Sequence, residues 1–369
     1  MPLASSWRHP TRSWLNVNRA LVACLVTFKL VEWADLPALS YTLTLVFSCW
    51  FGFVLYRWLD RFYLARRVVA YKKAVLITGC DTGFGNMLAR RLASRGFQVF
   101  AGCLDATSKG AQELAAEPNV FVVSLDVTDD KNFQEALATT TEQIETSGND
   151  LWCVVCNAGV ANFAEMEWQS WESIQRTFDV NVMGVLRTIR TFLPLLRASR
   201  GRIVITASIA SDFAFPGLVT YSMTKAAVAS LAEGLKRELR AWDVDVCTVK
   251  PTVYRTEIVR LTDAKQKLFE DALRDLPEDI RVDYGQAYFN AFLKTAAKAV
   301  SKFVNNSPEQ VVDALEHAVT TVWPETHLRV ASWRQMLFFN LLDTLPIEAQ
   351  DAWMEMAFKV PVEPNARVR

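Results

Sequence analysis

From residue 73 onward, short apolar runs alternate with longer segments of helical character, and no other feature restricts the fold as much. "AVLITG" leads into "GNMLARRLASRG", then "FQVFAGCL", a polar helix over 108–117 and "VFVVSLDV". A helix over 129–147, "LWCVVCNAG", a helix over 170–198, "GRIVITAS", the segment bearing Tyr221 and "VDVCTVKP" complete the series. Strands that are apolar throughout are covered on both faces, and parallel strands need a crossover helix between them. The expected fold is therefore α/β, a Rossmann-type doubly wound parallel sheet with ligands at the carboxyl ends of its strands. After Pro251 the pattern loosens into a charged, helical stretch over 252–300, a helix over 308–322 opened by Pro308, and an amphipathic, Trp-rich tail.

The first strand runs into "ITGCDTGFG", which places Gly79, Gly83 and Gly85 at the start of the first helix. Glycines there allow a tight turn and a close backbone approach to a pyrophosphate resting on the helix N-terminus. The strand–turn–helix context is what turns a weak glycine motif into a dinucleotide site. At the end of the second strand an acidic residue would bind ribose hydroxyls, whereas a basic one would accept a 2′-phosphate. "GCLDATSKG" offers Asp105 at that place, and Asp81 in the glycine turn would repel a phosphate. NAD is favoured over NADP, with Lys109 as the one nearby cation on the other side of the balance.

The first seventy residues pose a separate problem. Residues 37–56 hold no charge across twenty positions, about the length that crosses a bilayer. Trp50, Tyr56 and Trp58 suit an interfacial belt, and Arg57, Arg61, Arg66, Arg67, Lys72 and Lys73 follow the run. By the positive-inside rule, everything after residue 57 belongs on the cytoplasmic side. A second apolar stretch, 20–31, is short and contains Lys29, so one span or two are both open.

Composition narrows the chemistry. Lys+Arg and Asp+Glu balance at 40 each, which excludes the basic excess of a nucleic-acid binder. Seven cysteines form no disulfide framework, and the C-x-x-C of Cys153 and Cys156 lies on an apolar strand. Residues three apart on a strand point to opposite faces, so that pair holds no metal. Three scattered histidines form no ligand pattern, and no metal site is expected. Acid–base work must come from elsewhere.

"VTYSMTKAAV" supplies it. Tyr221 and Lys225 are four apart, hence on one face if helical, and a nearby cation favours the phenolate. In isolation this pair would read as an ordinary exposed one.

Taken together, "TGCDTGFG", "LDV" with Asp126, "CNAG" over 156–159, "VNVMG" with Asn181, "ITAS" with Ser208 and "YSMTK" resemble the short-chain dehydrogenase/reductase family. The thirteen-residue spacing from Ser208 to Tyr221 and the "KP" at 250–251 also match. "GFQVFAGCL", "TFLPLLRASRGRIV", "DYGQAYF" and a late "LP" resemble the membrane-associated branch of that family. That branch holds retinol dehydrogenases, 17β-hydroxysteroid dehydrogenase type 2 and D-β-hydroxybutyrate dehydrogenase. The resemblance implies that Tyr221 is the general acid/base, its pKa lowered by Lys225 and the positive nicotinamide. It further implies that Lys225 binds the nicotinamide ribose, that Ser208 bonds the substrate oxygen and that Asn181 positions a water leading from Lys225 to solvent. For the cofactor it implies Thr78, Gly79, Asp81, Gly83, Phe84 and Gly85 at the turn, and Asp105, Asp126 and Val127 on the adenosine side. Asn157, Ala158 and Gly159 would line the cleft, with Pro251, Thr252 and Val253 beside the nicotinamide.

Three residues depart from the family pattern: Cys156 for an asparagine, Thr252 for a glycine, and "ITAS" for "VSS", which keeps Ser208. The expected organisation is a membrane anchor over 1–70, the dinucleotide-binding catalytic domain over 71–255, and a substrate lid with helical extension over 256–369. Phe163, Phe213 and Phe215, close in sequence to the reactive motifs, suit a flat lipophilic substrate. The expectation is an NAD(P)-dependent oxidoreductase interconverting an alcohol and a carbonyl on a steroid or retinoid. Its partners would be that substrate and the endoplasmic reticulum membrane, with the catalytic domain cytosolic; nucleic acid is not expected and a homo-oligomer is compatible. Two rivals are a mitochondrial D-3-hydroxybutyrate dehydrogenase and a non-catalytic membrane scaffold that retains the fold.

Overall fold

A computed structural model describes residues 41–42, 44–52, 67–256, 269 and 273–368. The six apolar runs form β1 (Lys73–Thr78), β2 (Gln98–Cys103), β3 (Val120–Ser124), β4 (Asp150–Cys156), β5 (Arg202–Thr206) and β6 (Asp245–Pro251). A seventh strand, β7 (His327–Val330), joins them from the C-terminal part of the chain. All pairings are parallel, in the order β3-β2-β1-β4-β5-β6-β7. The order reverses between β1 and β4, and the crevice at such a switch point is where this topology takes its ligand.

The crossover helices follow from local signals. Helix α1 (Gly83–Ser94) opens directly from the glycine turn. Ser108 caps α2 (Lys109–Ala115) by accepting from the Ala111 amide, and α3 (Asp130–Ser147) stops at Gly148, whose φ of 65° suits the left-handed cap. The expected helix over 170–198 is interrupted. α4 (Trp171–Phe178) passes through a five-residue π-turn, Asp179–Met183, before α5 (Gly184–Ser199) begins. Such bulges recur at functional sites, and this one carries Asn181. Tyr221 and Lys225 share α6 (Val219–Glu238).

Two apolar layers cover the sheet. Val75, Ile77, Cys153 and Val155 pack against α1, α2 and α8 (Glu309–Thr320) through Leu88, Leu92, Leu114, Val311 and Leu315. Leu76, Val154 and Cys156 face the other way, toward Phe133 of α3, Ile189 and Phe192 of α5 and Val228 of α6. Each such side chain, fully buried, contributes roughly 1.5–3 kcal/mol, so the sheet is held from both sides. Cys153 and Cys156 therefore lie in opposite layers, as their spacing required.

The C-terminal part is not only helical. β7 extends the sheet beside β6, with His327 opposite Thr248, and is followed by α9 (Trp333–Leu342) and α10 (Ile347–Phe358). Four residues with two inward side chains are too short to carry a strand periodicity, which is why the sequence gives no warning of it. Before it, α7 (Glu278–Phe303) contains Gly285 at φ 78°, a break inside what reads as one helix.

At the starting ends of the strands, Arg202 of β5 donates to the carbonyls of Ala318 and Thr321 at 2.6 and 2.7 Å. Trp152 Nε1 donates to the Val319 carbonyl. The chain comes in at this same end: the Val68 amide donates to the Thr320 carbonyl, and Glu316 accepts ion pairs from Arg67, Arg91 and Arg95. Residues 41–42 and 44–52 are helical, with Tyr41, Leu45 and Phe51 exposed. Among the described residues no helix is long and apolar enough to cross a membrane. The rest of the 37–56 run, the 20–31 stretch and Arg57, Arg61 and Arg66 of the basic flank lie outside the described residues.

Candidate active site

A cleft of about 730 Å³ opens at the carboxyl ends of the strands. Its floor is the glycine turn. Gly79 has φ 71°, and a methyl there would come within 2.8 Å of Ala158 Cα. One on Gly85 would meet the Gly79 carbonyl oxygen at 2.3 Å and Asn157 Nδ2 at 2.7 Å. Only hydrogen fits at either place, so the turn packs close against the end of β4, and Gly83 and Phe84 at the start of α1 line the cleft. That cradle fits a pyrophosphate.

Thr78 and Asn157 brace the cradle without lining it equally. Thr78 Oγ1 accepts from the amides of Asn157 and Ala158, and Asn157 Nδ2 donates back to the Thr78 and Gly79 carbonyls. Gly79, Asp81, Gly83 and Phe84 form one wall. Asp126 and Val127 from the end of β3, and Asn157, Ala158 and Gly159 from the end of β4, form another. Thr78, Gly85 and Val253 stand behind this surface, and the Val253 carbonyl accepts from the Asn305 amide at 2.8 Å.

The two carboxylates near the ribose position behave differently. Asp81 lines the cleft, and its oxygens accept from the Leu104 and Asp105 amides at 3.0 and 2.9 Å. Asp105 turns onto its own loop, where one oxygen accepts from the Thr107 amide and hydroxyl and holds its pKa below the usual carboxylate range. Asp105 does not line the cleft. The sequence pointed to both residues; of the two, Asp81 lies on the cleft wall.

Ser208, Tyr221 and Lys225 meet at the other end of the cleft, beside Pro251 and Thr252. Lys225 Nζ donates to the Thr206 carbonyl at 2.9 Å and sits 5.6 Å from the Tyr221 ring centre. A methyl on Gly159 would lie 3.5 Å from that Nζ, so the ammonium borders open space. Burial depresses the Lys225 pKa from 10.5 to about 8. The Tyr221 pKa is raised above 10 by burial, offset in part by a hydrogen bond with Ser208. The expectation joined Lys225 to the positive nicotinamide; in the protein alone, burial of the phenol is the larger effect.

Asn181 is fully buried and completely bonded. Its Oδ1 accepts from the Val160 amide, and its Nδ2 donates to the Val160 carbonyl and Thr224 Oγ1. It ties the loop after β4 to α6 one residue before Lys225.

The expected substrate aromatics lie outside the cleft wall. Phe213, 4% exposed, packs on Phe339 of α9 with ring centres 5.5 Å apart. Phe215 meets Phe358, and Phe163 meets Phe292. Trp168 is buried among Tyr284, Tyr288, Phe289 and Phe292. These rings bind the C-terminal helices to the domain. Sequence reading missed Glu172 and Arg176, which line the cleft and belong to no motif, and gave no role to Leu104, which lines it from the end of a quoted segment.

A dinucleotide cradle joined to a serine, tyrosine and lysine at the topological switch point defines a nicotinamide-dependent oxidoreductase. The family model for short chain dehydrogenases matches residues 73–267, and the chain belongs to that family. Over 317 residues it is 36% identical to 17-beta-hydroxysteroid dehydrogenase type 6 of Rattus norvegicus, covering 83% of this chain and 96% of that one. Retinol dehydrogenase 16 of Rattus norvegicus is 34% identical, covering 79% and 91%. Mitochondrial D-beta-hydroxybutyrate dehydrogenase of Mus musculus is 32% identical, covering 78% and 84%. A short chain dehydrogenase/reductase from Burkholderia phymatum, solved with NAD, superposes with a TM-score of 0.60 at 25% identity, over 77% of this chain and 96% of that one. The protein is thus a short-chain alcohol dehydrogenase/ketone reductase using a nicotinamide dinucleotide, and the non-catalytic scaffold reading is set aside.

Proposed function

We propose that the protein is a membrane-anchored, NAD-preferring dehydrogenase that interconverts an alcohol and a carbonyl on a steroid or retinoid. The observation that carries the chemistry is the convergence of Ser208, Tyr221 and Lys225 at the end of the cleft. The nicotinamide, when bound, accepts or gives the hydride and in its oxidised form brings a positive charge. Ser208 donates to the substrate oxygen, and the ionised Tyr221 takes the hydroxyl proton as the carbinol hydrogen departs. Lys225 would hold the nicotinamide ribose and favour the phenolate, and Asn181 keeps the loop after β4 in register with it. A base tuned toward the working pH serves this transfer best, and a bound cation is what brings a buried phenol down.

NAD preference rests on the carboxylate of Asp81 at the ribose end, which the backbone amide of residue 105 holds in place. The lipophilic substrate rests on the steroid and retinol names of relatives over 30% identical across most of the chain. The membrane anchor rests on the uncharged 37–56 run, and its basic flank favours a cytosolic catalytic domain on the endoplasmic reticulum. 3-Hydroxybutyrate belongs in the same test, because two relatives carry that name and Arg176 lines the cleft.

The test is NAD(H)- and NADP(H)-linked turnover by the full chain in detergent against steroids, retinoids and 3-hydroxybutyrate, beside Tyr221→Phe. Turnover of a steroid or retinoid, reduced about 10²- to 10⁴-fold in the variant, is expected. Equal turnover by the variant would defeat the proposed role of Tyr221, and turnover of 3-hydroxybutyrate alone would replace the substrate assignment.

A further inference from the structure

Outside the cleft wall lies a cluster of four charges from four separate elements. Asp212 stands one residue beyond the short turn Ile209–Ser211, whose capping residue is Ser208. Its Oδ1 accepts from Lys250 Nζ at 2.6 Å, and its Oδ2 accepts from Arg329 Nε at 2.9 Å and Nη2 at 2.8 Å. Arg329 Nη2 also reaches Asp343 Oδ2 at 3.0 Å. The side chains of Lys250, Asp212, Arg329 and Asp343 are only 10, 13, 16 and 22% exposed.

Removing four charges from water is costly, and apolar residues of similar size would hold the same space as well or better. What the cluster supplies is geometry. Lys250 immediately precedes Pro251 and Thr252 on the cleft wall. Ser211 Oγ donates to the Ser208 carbonyl at 2.6 Å and contacts Asp212 Oδ1 at 3.2 Å, so the turn is drawn tight between serine and carboxylate. The Ala210 amide donates to Ser208 Oγ at 3.1 Å, which fixes the hydroxyl's rotamer. Helix α9 reaches both loops: Gln335 in its first turn accepts from Thr252 Oγ1, and Asp343 at its far end holds Arg329.

We propose that Asp212 is a positioning residue for Ser208, and that through it β7 and α9 set the distance between the Ser208 hydroxyl and the Pro251–Thr252 loop. The proposal deepens the dehydrogenase reading above and rests on it for the kinetic part of its test. Misplacing a reacting group by an ångström costs rate far more than binding.

The test is Asp212→Asn in the full chain, with Lys250→Met as a second variant that keeps the Asp212–Arg329 and Arg329–Asp343 pairs. For Asp212→Asn, alcohol oxidation falls on the order of tenfold to a hundredfold in kcat, with the KM for dinucleotide nearly unchanged. Its pH–rate limb moves to higher pH, because Tyr221 loses part of the Ser208 hydrogen bond that offsets its burial. Ser208 and Lys225 are the groups that face Tyr221. Near the cluster, His327 is pushed down to about 4 by burial and by Lys250, and so stays neutral throughout that range. Lys250→Met shows the same changes in smaller measure.

Hydrogen exchange at the Ala210 amide gives a readout independent of turnover. Faster exchange than wild type in Asp212→Asn, at a temperature where the variant is folded, supports the proposal. A lowered Tm with wild-type Ala210 protection and an unmoved pH limb would overturn it. Absence of any alcohol turnover by the wild type would defeat the dehydrogenase reading alone, since the exchange result still decides this one.

Discussion

The ammonium of Lys225 donates to the carbonyl of Thr206 at 2.9 Å, anchoring the second turn of α6 to the end of β5. The bond holds the lysine beneath the cleft in a buried site that penalises its charge, and the depressed pKa follows from that burial.

Stability should therefore depend on pH through this residue. Between about 8 and 10.5 the unfolded chain binds the Lys225 proton and the folded protein does not, so stability rises with pH across that window. Below 8 both states hold the proton, and the folded state bears the full penalty, up to roughly 3 kcal/mol. Lys225→Met should unfold at a higher temperature than wild type at pH 7, and the difference should shrink toward pH 10.5. A difference that is constant over this range would contradict it.

Oxidation requires ionised Tyr221, whose pKa is raised by burial and held back by Ser208. The oxidation rate should climb with pH through the titration of the tyrosine. Ser208→Ala should move that limb to higher pH and lower kcat by about 10²- to 10³-fold. Stopped-flow rates over a pH series for both proteins check this.

Asp81 and Asp105 should not be equivalent. Asp81→Asn removes a charge on the cleft wall and should raise NADP affinity relative to NAD by about tenfold, the scale of one charge pair a few ångströms apart. Asp105→Asn, whose carboxylate serves its own turn, should change the ratio by less than about twofold. Titrations of both dinucleotides by quenching of tryptophan fluorescence distinguish the two.

Thr252 occupies a position where glycine was expected, and its hydroxyl accepts from Asn305 Nδ2 at 3.0 Å and contacts Gln335 Oε1 and the Val330 carbonyl at 3.3 Å. Thr252→Gly should cost about 1–2 kcal/mol in denaturant unfolding, from the lost bonds and the freer unfolded chain. The cofactor should still bind, because the backbone N–H of residue 252 keeps its bond to Val330. Loss of dinucleotide binding would show that the threonine contacts the cofactor.

The core sheet was legible because strands buried on both faces are written as unbroken apolar runs, and the glycine turn because Gly79 and Gly85 admit nothing larger. Ser208, Tyr221 and Lys225 were legible by spacing. Phe213 and Phe215 misled, since nearness in sequence to Ser208 says nothing about which way a ring turns, and both face the C-terminal helices. β7 and the partners of Asp212 were hidden because Lys250, Arg329 and Asp343 meet only after the sheet has closed around them. Side chains brought together from distant elements leave no local pattern.

The three arginines on Glu316 have a mechanical consequence. Arg67 belongs to that clasp, at the starting ends of the strands, whereas Ser208 and Tyr221 stand at the finishing ends. A strand of five to seven residues sets these poles roughly 20 Å apart. The chain enters the domain here, where the Arg67–Glu316 pair and the Val68–Thr320 backbone bond tie it to α8. The proposed anchor would therefore enter the domain at the end of the sheet farthest from the proton-transfer groups.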